Sequence, residues 1–215
     1  MKKLLWVGMA VMMLLGAGGF AQEVPEDMPI ITAERQLILP DKLLPVLQAR
    51  FPVYRTTVKD DYRGVPFYQD TTWALAQGRE LDIYPLWYDV GDSALPCICW
   101  GDFNGDSLTD VALMLIPDST KLTAADSVPV PPLLVVFHQT KDGYDVITPK
   151  VPMGRTWINY FIRTLPPQTI KPYPMTGEEV PVTTRCDAIE WNNWEGSAYV
   201  LYWDNGEYHQ IWTKD

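Results

Sequence analysis

Oxygen-bearing side chains recur at short intervals in one stretch of the chain, at Asp102, Asn104, Asp106 and Asp110. Counted from Asp102, they hold positions 1, 3, 5 and 9 of a loop, and the backbone carbonyl of Leu108 falls at position 7. Calcium takes about six to eight oxygen ligands, and alternate side chains of a curled loop can point at one ion. Carboxylates this close repel one another unless a cation neutralises them. The spacing predicts a Ca²⁺ loop, and the alternative is a turn without metal.

The loop differs from an EF-hand at two positions. Leu113 stands at position 12, where an EF-hand carries a bidentate Glu, and Ser107 stands at position 6, where it carries Gly. The apolar run 111–116 that follows is typical of a buried strand. The pattern therefore predicts a loop between strands. Mg²⁺ is a weaker candidate than Ca²⁺, because it demands octahedral geometry and retains its waters.

The segment Gly-Asp-Phe-Asn-Gly-Asp-Ser-Leu-Thr-Asp-Val-Ala, residues 101–112, resembles the FG-GAP/VCBS type of repeat. Such repeats occur in integrin-like propellers and in many secreted bacterial proteins. The resemblance is close over this segment, looser over 95–148, and departs at Ser107, where the family mostly has Gly. The rest of the chain is similar to single-copy members of the group in exported bacterial proteins. The resemblance implies a metal loop and a β-rich fold, but no activity.

Residues 1–21 have the pattern of a signal peptide. Lys2 and Lys3 precede the apolar stretch 4–20, and Gly19-Phe20-Ala21 is a small-x-small cleavage site. The alternative is an uncleaved anchor, although glycines interrupt the stretch and make it marginal for spanning a membrane. We expect a mature chain that begins at Gln22, lies in the periplasm or outside the cell, and has no stable membrane insertion.

The charge of the chain argues against one class of partner. Cleavage would remove two lysines and leave 15 basic against 27 acidic residues, which moves the net charge from −10 to −12. A chain this acidic repels phosphate backbones, so we expect no nucleic-acid partner.

The three cysteines, Cys97, Cys99 and Cys186, would enter an oxidising compartment after export. Cys97 and Cys99 lie two apart in a predicted strand, so both point to one face and bridge each other poorly. Cys186 is therefore the expected disulfide partner of one of them, which leaves one thiol free.

The expected fold is mainly β (α+β), an antiparallel sheet or meander with one propeller-blade-like unit and one or two short N-terminal helices. A helix capped by Asp41 is predicted at 42–50 and a second one at 71–77, whereas 81–88 is rich in β-formers. Strands are predicted at 97–100, 111–116, 133–138, 144–147, 185–191, 198–203 and 207–212. Because no motif repeats at a fixed period, we expect one domain over 35–215 and a flexible lead-in over 22–34, not a propeller.

Three further features concern the C-terminal region. The segment 164–182 carries five prolines and predicts an extended surface loop. A turn at Asn205-Gly206 would pair Trp203 with Tyr208 and Tyr199 with Trp212. The tryptophans at 191, 194, 203 and 212 are expected to pack in the core; stacking on a sugar is the alternative.

Evidence for catalysis in the sequence is sparse. His138 and His209 belong to no catalytic motif, and the acidic pairs 60–61 and 178–179 are typical of solvated loops. A Cys99–His138 pair has no local support. We therefore expect a binding or interaction module for a protein or glycan, with a secreted hydrolase carrying a structural calcium loop as the alternative.

Overall fold

The structure, a computed structural model, describes residues 29–31, 37–58, 61, 97–122, 130–151, 160–174, 180–193 and 197–214. In chain order its elements are β1 (Ile30–Ile31), β2 (Leu37–Ile38), α1 (Leu43–Arg50), β3 (Tyr54–Thr56), β4 (Ile98–Gly101), β5 (Asp110–Pro117), β6 (Leu133–Thr140), β7 (Gly143–Ile147), β8 (Tyr160–Leu165), β9 (Thr169–Ile170), β10 (Val182–Thr183), β11 (Ala188–Asn193), β12 (Ala198–Asp204) and β13 (Glu207–Lys214).

The described part of the chain is mainly β, with antiparallel sheets that do not close into a barrel and one short helix, which confirms the predicted fold class. The expected signal peptide 1–21, most of the lead-in 22–34, the second predicted helix at 71–77 and the segment 81–88 lie outside the described residues. Among the helices of the described part, none has both the length and the apolar character needed to cross a membrane.

The larger sheet contains the predicted meander. β5 pairs with β4 and β3 along one side and with β6 along the other, and β7 pairs with β6. Residues 110–116 of β5 are all buried, as expected of a central strand that is covered on both faces.

The second sheet has the order β13-β12-β11-β8. Its last hairpin has the predicted register, with Trp203 opposite Tyr208 and Tyr199 opposite Trp212. Asn205 and Gly206 both adopt left-handed backbone, with φ of 49° and 88°, as a two-residue hairpin turn of type I′ requires.

Three local expectations were wrong or incomplete. Strand β8 was not predicted, and the proline-rich segment 164–182 is not only a loop, because β9 and β10 pair within it with Ile170 opposite Val182. The helix begins at Leu43, and its N-cap is Lys42, which makes no side-chain capping bond, so Asp41 is not the cap.

The two sheets and the helix share one core. Buried residues from both sheets and from α1 form a single cluster that includes Leu43, Leu113, Phe137, Ile189 and Trp191. Across the junction between the sheets, the Thr164 hydroxyl donates to the carbonyl of Trp100 at 2.7 Å. The loop between β4 and β5 lies at one end of this junction, and it contains the predicted metal ligands.

Candidate cation loop

Asp102 organises the loop that joins β4 to β5. Its Oδ1 accepts the backbone N–H groups of Gly105 at 2.7 Å and Asp106 at 3.1 Å, and its Oδ2 accepts that of Ser107 at 2.9 Å. A short carboxylate that accepts several nearby amides curls the chain around itself. The loop therefore turns about the side chain that the sequence places first among the ligands.

Asn104 and Asp106 repeat this turn along the loop. The Oδ1 atom of Asn104 accepts the N–H of Asp106 at 3.0 Å, and Oδ1 of Asp106 accepts the N–H of Leu108 at 2.8 Å. The amide nitrogen of Asn104 donates to the other oxygen of Asp106 at 3.1 Å. Three of the predicted ligand side chains thus fold into the same exposed loop.

Two residues of the loop have left-handed backbone, Gly105 with φ of 82° and Ser107 with φ of 70°. Glycine adopts this conformation without steric cost, whereas serine does not. The position at which the sequence departs from the FG-GAP/VCBS pattern therefore has the backbone conformation that glycine favours.

Asp110 differs from the other predicted ligands in being buried. Its side chain is fully buried, its Oδ2 accepts the N–H of Phe103 at 2.9 Å and the Nδ1–H of His138 at 2.8 Å, and its Oδ1 accepts the N–H of Gln139 at 2.9 Å. A carboxylate with partners on both oxygens in the interior joins the elements that supply them. Here those elements are the loop and β6.

His138 extends this network to the second sheet. Its Nε2 atom is hydrogen-bonded to the hydroxyl of Tyr208, 3.3 Å away. The imidazole stacks on the Tyr208 ring and lies against Trp203, with centroids 5.7 and 5.0 Å apart. Burial raises the pKa of the Tyr208 phenol well above its usual value. The proposed Cys99–His138 pair does not form, because both imidazole nitrogens face other partners.

A second set of contacts, which no sequence pattern indicates, joins the loop to Cys186 and Asp187. The N–H of Asp102 donates to Oδ2 of Asp187 at 3.0 Å, and the N–H of Asp187 donates to the carbonyl of Asp102 at 3.0 Å. The thiol of Cys186 donates to the carbonyl of Phe103 at 3.3 Å. The segment just before β11 is therefore bonded to the first two residues of the loop.

The predicted disulfide is wrong, because Cys97, Cys99 and Cys186 are all free and buried. Cys186 lies against the loop and faces Phe103, whereas the Cys99 thiol is hydrogen-bonded to Thr164 of β8. Burial raises the pKa of Cys99 to about 12. Burial, followed by the charges of Asp102 and Asp187, also raises the pKa of Cys186. Both thiols are protonated at neutral pH.

The donor set of the loop suits a hard cation in part. Oδ1 of Asp102 already accepts two amides, whereas Oδ2 of Asp102, Oδ1 of Asn104 and both carboxylate oxygens of Asp106 accept one hydrogen bond each. Since an sp² oxygen has two lone pairs, these four oxygens each keep one for a further partner. Asp110 is buried and accepts three hydrogen bonds, and no three acidic, histidine or cysteine side chains converge on a metal position within the described residues. The exposed loop therefore offers two carboxylates, one amide oxygen and the Leu108 carbonyl as candidate ligands.

A cavity of about 230 Å³ adjoins the loop through the side chain of Leu108, which is 38% exposed. The β6–β7 turn forms most of its wall, and α1 contributes Lys42. The lining residues are Lys42, Leu108, Gln139, Thr140, Lys141, Asp142, Gly143 and Tyr144.

The other candidates for chemistry have ordinary packing or surface contacts. Trp191 is buried and stacks on Tyr160 with centroids 4.5 Å apart, and Trp203 packs on His138, as the packing interpretation predicts. Asp61 pairs with Arg55, and His209 lies 3.6 Å from Glu207 on the last hairpin. Asp60, Glu178, Glu179 and Trp194 lie outside the described residues.

Comparison with known proteins gave no relative. The chain matches no protein-family model, and neither the curated proteins nor the solved structures contain a significant match.

Proposed function

We propose that this chain is an exported calcium-binding protein whose loop from Asp102 to Asp110 holds one Ca²⁺. The observation that carries the proposal is the loop conformation: Asp102, Asn104 and Asp106 each accept backbone amides of the same short turn, which gathers these three side chains in one exposed loop. These oxygen donors are the type that Ca²⁺ prefers. The similarity of 101–112 to FG-GAP/VCBS repeats supports the same assignment.

The residues of the loop divide into two roles under this proposal. Asp102, Asn104 and Asp106 supply side-chain oxygens, Leu108 supplies its carbonyl, and water completes the shell of about six to eight ligands. Asp110 was predicted as a ligand, and its described contacts favour a bracing role in which it joins the loop to β6. A bound Ca²⁺ supplies positive charge that offsets the mutual repulsion of the carboxylates, and no reaction is assigned to it.

The metal can be tested on purified mature protein. After dialysis against a chelator, calorimetric titration with Ca²⁺ is expected to give one site per chain, and elemental analysis of untreated protein is expected to give calcium. Extracellular sites of this kind have dissociation constants of about 10⁻⁴–10⁻³ M, so the titration needs millimolar Ca²⁺. Mg²⁺ at the same concentration is the specificity control. Absence of heat and of bound metal would reject the proposal.

Export rests on residues 1–21 alone. N-terminal sequencing of protein recovered from the cell envelope or medium is expected to begin at Gln22. Recovery of mature material that still begins at Met1 would reject cleavage without affecting the metal proposal.

We place the binding face of the module at the cavity beside the loop. This cavity combines the apolar side chain of Leu108 and the ring of Tyr144 with the charges of Lys42, Lys141 and Asp142. Aromatic rings are enriched in protein interfaces and polar groups form their rim, so we assign this face to the protein or glycan partner. Capture from an envelope fraction with native protein is expected to retain a partner that the Lys141→Glu variant does not retain. Equal capture by both proteins would place the face elsewhere.

His138 gives no support to the hydrolase alternative. His138 is only 3% exposed and is held between Asp110 and Tyr208. A general base must reach a substrate proton, and this imidazole is enclosed by packing. We therefore assign the network to the junction between the sheets.

A further inference from the structure

The segment that precedes β11 is hydrogen-bonded to both backbone polar groups of Asp102, the first predicted ligand of the loop. Asp187 accepts the N–H of Asp102 through Oδ2 and donates its own N–H to the Asp102 carbonyl, each at 3.0 Å. The two residues are 85 positions apart in the chain. Such a reciprocal pair fixes the orientation of Asp102, whose carboxylate then accepts three loop amides.

We propose that Asp187 is a positioning residue for the cation loop, through which the second sheet sets the affinity of a site built on the first. This inference rests on the proposed calcium-binding function. Asp187 acts through Asp102 and is not itself assigned as a ligand. Groups that orient metal ligands contribute to affinity although they do not touch the metal.

Gly101 leaves the space that this contact needs. A Cβ atom at position 101 would lie 2.6 Å from Oδ2 of Asp187 and 3.0 Å from the methyl group of Thr164. Real Cβ contacts are not this short, so a side chain at position 101 would displace the Asp187 carboxylate. The close approach of the two segments thus depends on a glycine immediately before the loop.

Cys186 provides a reporter for the same contact. Its thiol donates to the carbonyl of Phe103, and its Cβ lies 3.6 Å from the position of a Cβ on Gly105, so it lies beneath the loop. Cys186 is next to Asp187 in the chain, and its thiol is hydrogen-bonded to the loop. A cation that orders the loop is therefore expected to slow chemical labelling of this thiol. The labelled peptide is separated from those of Cys97 and Cys99 by mass spectrometry.

The test compares native protein with Asp187→Ala, which removes the acceptor, and Asp187→Asn, which retains an acceptor oxygen. Asp204→Ala, at the exposed end of β12, is the matched control for loss of one carboxylate. The Ca²⁺ dissociation constant is measured by calorimetry, and the labelling rate of Cys186 is measured with and without Ca²⁺. We expect Asp187→Ala to weaken Ca²⁺ binding about tenfold or more, and Asp187→Asn and Asp204→Ala to remain within about threefold of native.

The outcomes separate this inference from the proposed function. If native protein binds no Ca²⁺, the proposed function fails and this inference falls with it. If native protein binds Ca²⁺ and Asp187→Ala binds it equally well, only the positioning role is overturned. A merely structural role would lower the melting temperature equally with and without Ca²⁺ and leave the dissociation constant unchanged. Should Asp187→Ala not fold, an unchanged Cys186 labelling rate on Ca²⁺ addition to native protein overturns the inference.

Discussion

The carboxylate of Asp110 and the imidazole of His138 are hydrogen-bonded at 2.8 Å in an interior that leaves them 0% and 3% exposed. Asp110 ends the cation loop, and His138 continues the contact to Tyr208 on β13. The last acidic residue of the loop is thus anchored by both sheets. This anchoring fixes one end of the loop, and Asp187 fixes the other.

Removing the Asp110 carboxylate is expected to destabilise the fold more than removing any other acid of the loop. Asp110→Ala leaves the buried amide of Phe103, the half-buried amide of Gln139 and the imidazole without their acceptor. This loss costs about 3–5 kcal/mol by analogy with broken buried pairs. Tyr208→Phe removes one neutral hydrogen bond and is expected to cost about 1 kcal/mol. Urea unfolding of both variants, beside Asp142→Ala as the exposed control, measures the difference. A loss below 1 kcal/mol for Asp110→Ala would contradict this account.

Ser107→Gly is expected to stabilise the protein. Ser107 has a left-handed backbone with φ of 70°, which costs an ordinary residue about 1–2 kcal/mol that glycine avoids. Part of this gain is offset by the greater freedom of glycine in the unfolded chain, so we expect a net gain below about 1 kcal/mol.

Unfolding in urea measures the Ser107→Gly effect, and Ser107→Val gives the opposite test, since a β-branched residue tolerates positive φ poorly. Stabilisation by valine, or a clear loss with glycine, would show that the backbone at this position differs from the one described here.

The parts of the fold that sequence predicts well are those encoded by neighbouring residues. The apolar run 111–116 became the central strand β5, and Asn205-Gly206 set the register of the last hairpin, because a type I′ turn needs two residues that tolerate left-handed backbone. In contrast, the pairing of Thr169 with Thr183 joins the two ends of a proline-rich segment. The prolines of this segment predict a loop, and no local pattern indicates the pairing of β9 with β10, which forms only in the folded chain.

The candidate site divides in the same way. The turn built on Asp102, Asn104 and Asp106 involves contacts over two to five residues, and spacing alone predicted these side chains in one loop. The Asp187 contact spans 85 residues and the His138–Tyr208 contact spans 70, and neither has a local signal. The disulfide prediction failed for the same reason, since shared strand character does not place two cysteines side by side.

Alkaline pH is expected to destabilise the fold through Cys99. Burial raises the pKa of this thiol from 9.0 to about 12, so the folded state keeps a proton that the unfolded chain loses above pH 9. The contribution to stability is therefore complete below about pH 9 and is lost as pH rises toward 12, by at most about 1.4 kcal/mol per pH unit.

Urea unfolding at pH 8, 9 and 10 is expected to show a steeper fall for native protein than for Cys99→Ala. The lower stability of the variant at pH 8, which follows from the cavity it creates, does not affect this comparison of slopes. Equal slopes would contradict burial of an ionisable thiol at this position.

The free state of the cysteines gives a direct check on their placement. A thiol reagent is expected to label Cys97, Cys99 and Cys186 in unfolded protein without prior reduction, because all three are free. In folded protein labelling is expected to be slow, since all three are buried and thiolate is the reactive form. A mass two protons lower, with one label per unfolded chain, would instead show a disulfide.

The central claim is that the loop from Asp102 to Asp110 binds calcium. At ten times its dissociation constant, Ca²⁺ is expected to stabilise the native protein by roughly 1.4 kcal/mol, which for a chain of this size raises the melting temperature by about 3–6 °C. Asp106→Ala removes a ligand and is expected to lose most of this shift, with a calcium-free melting temperature close to native. Asp204→Ala, which removes an exposed carboxylate outside the loop, is expected to retain the shift.

The most direct measurement is the thermal melt of native, Asp106→Ala and Asp204→Ala protein, each with chelator and with millimolar Ca²⁺. We expect a calcium-dependent rise in melting temperature for native and Asp204→Ala protein and little or none for Asp106→Ala. An equal rise in all three would place the cation outside this loop, and no rise in native protein, together with no bound metal, would show that the loop is only a turn.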